Sequence, residues 1–230
     1  MMSDTYEDQR GQIATYFDRT AAETWERLTS DAPVSRVRET VRAGRDRMRA
    51  TLLSWLPQDL GGARILDAGC GTGALAVEAA RRGAEVVAID LSPTLIRTAE
   101  ERLPQELRGR ISFRSGDMLD PSHGRYDHAV AMDSLIHYRT EDMIAALQRL
   151  SPRVEGAILF TIAPRTPLLS VMHSAGKLFP RSDRSPAIVP VGRRTLRRSL
   201  KGALPNRVLL RQERIKSGFY ISEAQELCIR

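Results

Sequence analysis

A chain of 230 residues with 42% hydrophobic residues is long enough for one domain with a substantial core, and its two cysteines, Cys70 and Cys228, are too few for a disulfide framework. No apolar run approaches the roughly 18–20 residues of a membrane span, the first ten residues lack the apolar stretch of a signal peptide, and the four histidines have no zinc-like spacing with the cysteines. A cytosolic protein without a protein-bound metal is expected, with a net charge of +7 that suits an anionic partner: nucleic acid, an anionic membrane surface or an anionic small molecule.

The spacing of Ile13, Phe17, Ala21, Trp25 and Leu28 predicts a helix over Tyr6–Thr29. After Pro33, a second helix is expected from about Val34 to Trp55, with Val37, Val41, Met48, Leu52 and Trp55 on one face and Pro57 closing it. The pattern then changes to short apolar runs separated by helical stretches. Strands are expected at Arg64–Asp67, Glu85–Asp90, Ile111–Arg114, Asp127–Met132 and Gly156–Thr161. Helices are expected at Ala74–Arg82, after the Ser92 cap and Pro93, and at Thr140–Leu150. Such alternation means a mostly parallel sheet covered on both faces. Residues 164–190, with five prolines, break the rhythm and read as an insertion over the carboxyl edge of the sheet. A basic helix at Arg193–Leu200 follows, and Arg207–Ile215 and Ala224–Ile229 read as an antiparallel edge pair joined through Gly218. The division is thus a helical arm or lid over 1–60 and an α/β domain over 61–230, with the insertion at 164–190 as a second, substrate lid.

The turn after the first strand reads Asp67-Ala68-Gly69-Cys70-Gly71-Thr72-Gly73. A glycine-rich strand-to-helix turn lets a ligand approach the backbone closely. A dinucleotide site wants G-x-G-x-x-G with a pyrophosphate on the helix N-terminus. Here the spacing is G-x-G-x-G behind an acid, which suits a ligand with a cationic amino group and no phosphates, such as S-adenosylmethionine. Asp90 ends the second strand, where an acid hydrogen-bonds ribose hydroxyls, and Leu91 follows it. Ser115-Gly116-Asp117-Met118 follows the third strand.

Together these residues resemble the core of class I S-adenosylmethionine-dependent methyltransferases over roughly Ile65–Thr161. The resemblance implies a Rossmann-like α/β fold, a seven-stranded mixed sheet with an antiparallel final pair. It also implies an adenine site with Asp117 toward the exocyclic amine and Met118 against the ring, and Met132 beside the cofactor. The segment after the fourth strand, Met132-Asp-Ser-Leu-Ile-His137-Tyr138, lacks the Asn/Asp-Pro-Pro-aromatic turn of base-amine methylases.

More of the chain is similar to one family, the magnesium protoporphyrin IX O-methyltransferases. Tyr16-Phe17-Asp-Arg-Thr, Trp25-Glu-Arg, Val37-Arg-Glu-Thr-Val-Arg-Ala-Gly44-Arg and Leu53-Ser-Trp55-Leu resemble its N-terminal arm. So do Met132–Tyr138, Phe160–Pro167 and Ser217–Ser222 farther on. The resemblance implies transfer of a methyl group to a propionate of magnesium protoporphyrin IX in chlorophyll or bacteriochlorophyll synthesis. It also implies contact with the magnesium chelatase large subunit. His137 and Tyr16 are then expected at the reacting centre. His137 either orients the propionate or holds the porphyrin magnesium, the first being favoured because magnesium prefers oxygen ligands. Arg165 is a candidate propionate partner, and Leu168 and Met172 an apolar lid for the macrocycle. The basic run at 193–201 lacks the interleaved aromatics that stack on bases, which disfavours RNA and other nucleic acids. Contact with an anionic lipid surface at the photosynthetic membrane stays open, as do another methyl acceptor and a non-catalytic cofactor-binding scaffold.

Overall fold

The computed structural model describes residues 4–16, 18, 35–165 and 188–230. The predicted alternation is present. The strands are β1 (Arg64–Ala68), β2 (Glu85–Asp90), β3 (Ile111–Ser115), β4 (His128–Ala131), β5 (Ile158–Pro164), β6 (Pro190–Val191), β7 (Arg207–Ser217) and β8 (Tyr220–Ile229). The helices of the described residues are α1 (Asp4–Thr15), α2 (Arg36–Ser54), α3 (Ala74–Arg81), α4 (Pro93–Glu101), α5 (Thr140–Leu150) and α6 (Arg193–Ala203). Seven strands run in the order β3-β2-β1-β4-β5-β8-β7, and the two-residue β6 adds an eighth by pairing with the end of β5. The first five strands are parallel, and β8 and β7 run antiparallel. This is the Rossmann-like class I methyltransferase arrangement with a reversed final pair.

Alternation of side chains along each strand divides the core between two faces. Leu66, Val87, Ala129, Phe160 and Ile162 pack with Leu147 of α5 and Leu196 of α6. Ile65, Val86, Val130 and Leu159 pack on the other face with Met48, Leu52 and Leu53 of α2 and Ala79 of α3. Local signals fix several boundaries. The Ser92 hydroxyl accepts the Leu95 N–H at 3.2 Å, with Pro93 at the first helical position of α4. The Ser35 side chain caps α2.

Some expectations are corrected. Strand β5 begins and ends later than Gly156–Thr161, and β8 begins four residues before Ala224. On α2, Met48 and Leu52 are buried as expected, but Val37 is 49% exposed. The continuation of the first helix to Thr29, the insertion over 166–187 and the lid residues Leu168 and Met172 lie outside the described residues.

Candidate active site

The strand order reverses between β1 and β4, whose neighbours lead away in opposite directions. In open α/β sheets, ligands bind beyond the carboxyl ends of the strands at that point. A cavity partly open to solvent lies there. It brings together Gly69, Gly71, Asp90, Leu91, Asp117, Met118, Met132 and His137 of the residues singled out from sequence. Asp67, Ala68, Gly73, Tyr16 and Arg165 are not among its lining residues.

The glycine-rich turn wraps over the end of β1. Its Gly69 and Cys70 N–H groups both donate to the Ile89 carbonyl, at 2.8 and 3.0 Å. Gly69 has φ of 83°, and a Cβ there would strike Ser134. Ser134 in turn donates its hydroxyl to the Ala68 carbonyl at 2.8 Å, locking the loop after β4 onto the turn. Gly73, rather than lining the cavity, caps α3 against the Phe113 ring.

Three acids surround this turn and differ in environment. Asp90 accepts the Gly71 N–H at 2.8 Å and the Ser92 N–H at 3.0 Å, so each oxygen is anchored while the carboxylate still faces the cavity. Burial raises its pKa, and these backbone donors oppose the rise. Asp67 is only 1% exposed and lies beneath the turn, with no hydrogen-bond partner for Oδ2 among the described residues. Burial, with the Asp90 charge nearby, pushes its pKa up to about 7. Asp117 accepts the Leu119 N–H at 2.8 Å, the Tyr6 hydroxyl at 3.2 Å and the Arg10 guanidinium at 2.8 Å.

The last two contacts bring α1 over the site through Tyr6 and Arg10, two residues not singled out from sequence. Tyr6, 1% exposed, stacks on Tyr138 with ring centroids 4.9 Å apart, and both line the cavity. Gln9 donates its side-chain amide to the His137 carbonyl. Burial above all raises both tyrosine pKa values, so Tyr6 keeps its proton and donates it to Asp117. His137 is 7% exposed, on the short turn Leu135–His137 directly after β4. Tyr16 is half-buried just beyond the end of α1, and Arg165 is exposed just beyond β5.

A second group missed from sequence borders the cavity. Asp133, at φ of 54°, has a side chain 6% exposed. Its carboxylate receives Tyr220 Oη at 3.1 Å, Ser222 Oγ at 3.4 Å, Thr161 Oγ1 at 3.3 Å and Arg45 Nη1 at 3.1 Å. Asp133 and Arg45 both line the cavity, bringing α2 and the β7–β8 hairpin to its wall. The signal available in the sequence was Asp133 beside Ser134 at a strand end; the partners are 28 to 89 residues away.

Comparison with known proteins gives a consistent result. Residues 131–228 match a family model described as magnesium-protoporphyrin IX methyltransferase C-terminus, and residues 65–154 match one described as methyltransferase domain. A magnesium-protoporphyrin O-methyltransferase of Rhodobacter capsulatus is 52% identical over 98% of this chain and 99% of its own. One from Synechocystis sp. is 30% identical over 75% of this chain and 76% of its own. The crystal structure of magnesium protoporphyrin IX methyltransferase from Synechocystis with bound SAH superposes with a TM-score of 0.83 at 26% identity, covering 96% of this chain and 100% of that one.

Proposed function

Because the chain belongs to the magnesium-protoporphyrin O-methyltransferase family, we propose that it transfers a methyl group from S-adenosylmethionine to a propionate of magnesium protoporphyrin IX, giving the monomethyl ester in chlorophyll or bacteriochlorophyll synthesis. The observation that carries this reading is the cavity at the β1–β4 reversal, where Asp90, Asp117 and His137 face one space amid apolar side chains. Its donor set fits S-adenosylmethionine. The two acids would repel a pyrophosphate, whereas Asp90 can accept from ribose hydroxyls and Asp117 from an adenine amine. The Met118 and Leu91 side chains supply apolar contact for the base. When bound, S-adenosylmethionine supplies an electrophilic methyl group on a sulfonium.

The chain's own task is placement. A propionic acid has a pKa of about 4–5 and is ionised at neutral pH, so no side chain has to remove its proton. His137, fixed by the turn after β4, orients the carboxylate, and Tyr16 helps close the arm over the reacting atoms. Holding them about 3–3.5 Å apart and in line is worth several kcal/mol. Methyl transfer to a carboxylate neutralises two opposite charges, so a drier site favours the transition state. The closure of α1 over Asp117 and His137 serves that end. Asp67 acts from beneath the turn, setting its charge and shape together with Ala68 and Gly73. Arg165 supplies a propionate contact at the carboxyl edge, with Leu168 and Met172 as the apolar lid. In this reading residues 1–60 are an arm, 61–230 the catalytic domain and 164–190 a substrate lid.

Among the described residues no helix is long and apolar enough to cross a membrane. Helix α6 nevertheless exposes Arg194, Arg197, Arg198 and Lys201, with no acidic residue in its sequence. That surface supports peripheral contact with an anionic membrane or with the magnesium chelatase large subunit.

Incubation of the purified protein with S-adenosylmethionine and magnesium protoporphyrin IX, followed by mass spectrometry, tests the function. A porphyrin heavier by one methylene is expected. Cofactor binding without any porphyrin product would remove the substrate assignment and leave the fold.

A further inference from the structure

The substrate of the proposed reaction carries two chemically similar propionates, yet only one is esterified. Something in the protein has to hold the other away from the cofactor. The cavity is partly open to solvent, which gives the wide macrocycle a place at its opening while the cofactor lies within. The start of α2 and the turn joining β7 to β8 lie next to the cavity wall formed by Arg45 and Asp133, at the carboxyl edge of the sheet.

The placement of this turn is strongly determined. Strand β8 pairs antiparallel with β5, Ile162 opposite Glu223, so Gly218 and Phe219 project beyond the carboxyl edge where the cavity opens. Gly218 has φ of 55°, and a Cβ there would collide with Thr40 of α2. One turn farther along α2, a Cβ on Gly44 would come within 2.6 Å of the Tyr220 ring. Tyr220 is tied at its hydroxyl to Asp133 on the cavity wall. On this held turn, Phe219 is 60% exposed, and Val37, one helical turn before Thr40, is 49% exposed. Two large apolar side chains are thus left facing solvent beside the site, with glycines fixing their positions.

The flank of α2 that faces the cavity adds charge. Arg45 lines the cavity, and Arg38 lies seven residues before it, on the same side of the helix and about 10 Å farther out along the axis at 1.5 Å per residue. Arg38 is exposed and makes no ion pair with any described residue.

We infer that this rim seats the macrocycle: Phe219 and Val37 support the ring, and Arg38 pairs with the propionate that is not methylated. The inference rests on the proposed reaction and adds the source of its selectivity for one of two similar groups. The apolar contact supplies affinity for any porphyrin of this shape. The arginine supplies discrimination, because only a diacid offers it a second carboxylate.

Fluorescence titration of the purified full-length protein with two magnesium porphyrins tests it, one being magnesium protoporphyrin IX and the other magnesium etioporphyrin, which has no propionates. Phe219→Ser should weaken both about tenfold, with Phe219→Leu largely restoring them. Arg38→Gln should weaken magnesium protoporphyrin IX about five- to tenfold and leave magnesium etioporphyrin unchanged, with Arg38→Lys restoring part of the loss. S-adenosylmethionine affinity should stay at the wild-type value in all four variants. Wild-type affinity for magnesium protoporphyrin IX in Phe219→Ser or Arg38→Gln, or an equal loss for both porphyrins in Arg38→Gln, overturns the rim assignment. Absence of magnesium protoporphyrin IX binding by the wild type would instead count against the proposed function itself.

Discussion

Arg10 of α1 places a guanidinium nitrogen 2.8 Å from Asp117 at the end of β3, across 107 residues of chain. The helical arm and the Asp117 side of the cavity are therefore one electrostatic unit. Tyr6 donates to the other oxygen of the same carboxylate.

This pairing gives a prediction for the cofactor. Arg10→Gln removes a partly exposed charge-assisted contact, worth about 1 kcal/mol. S-adenosylmethionine affinity, measured calorimetrically, should fall about fivefold as the arm closes less often. Turnover at saturating cofactor should change little. An unchanged affinity would mean that the arm does not hold the site closed.

Asp133 gathers Arg45, Tyr220, Ser222 and Thr161 while 6% exposed. Asp133→Ala removes the shared acceptor of three hydroxyls and of the partly exposed Arg45 guanidinium. The loss in urea unfolding free energy should be about 3 kcal/mol. Asn tolerates the left-handed backbone and keeps an acceptor, so Asp133→Asn should lose less. A loss under about 0.5 kcal/mol for the alanine variant would show that the network carries little stability.

The pKa of Asp67, pushed up to about 7 by burial, has a defined sign for stability. In the unfolded chain this carboxyl ionises near pH 4. Between about pH 4 and 7 the native state holds a proton that the unfolded state has released, so this group lowers stability as pH rises through that window. The cost reaches about 4 kcal/mol above pH 7 as an upper figure. Asp67→Asn should therefore gain stability relative to wild type as pH rises from 4 to 7.5, read by urea unfolding at each pH. A difference independent of pH would show that Asp67 ionises normally.

His137 and Tyr16 are separable by kinetics. His137→Ala should lower kcat by about 100-fold or more with S-adenosylmethionine affinity retained, since orientation acts on the reacting atoms. Tyr16→Phe should raise the KM for S-adenosylmethionine about threefold and lower kcat less, a change of under 1 kcal/mol in binding. Unchanged turnover in His137→Ala would remove it from the mechanism.

Much of this architecture is legible in the sequence because its signals are local. The run Glu85–Asp90, the Ser92–Pro93 start and Thr140–Leu150 match the observed elements. The glycine-rich turn, Asp90 and Asp117 converge because each follows a parallel strand ending at the same edge. Other features depend on distant partners. The start of β8 was not legible because its Glu223 is polar, yet it is fully buried between Arg193 and Arg214 at 2.7 and 2.9 Å. Tyr6 and Arg10 read as ordinary positions of an amphipathic helix until Asp117 is set beside them. Asp67 belongs to the ligand-binding pattern in sequence but lies under the turn in space, since a strand's last residues alternate between its two faces.

Release of S-adenosylhomocysteine, measured against porphyrin consumed, tests the central claim that the cavity delivers a methyl group to a free propionate. The account predicts one equivalent released per magnesium protoporphyrin IX converted, and none with the dimethyl ester, whose carboxylates are already blocked. Release with the dimethyl ester, or none with the diacid, would contradict it.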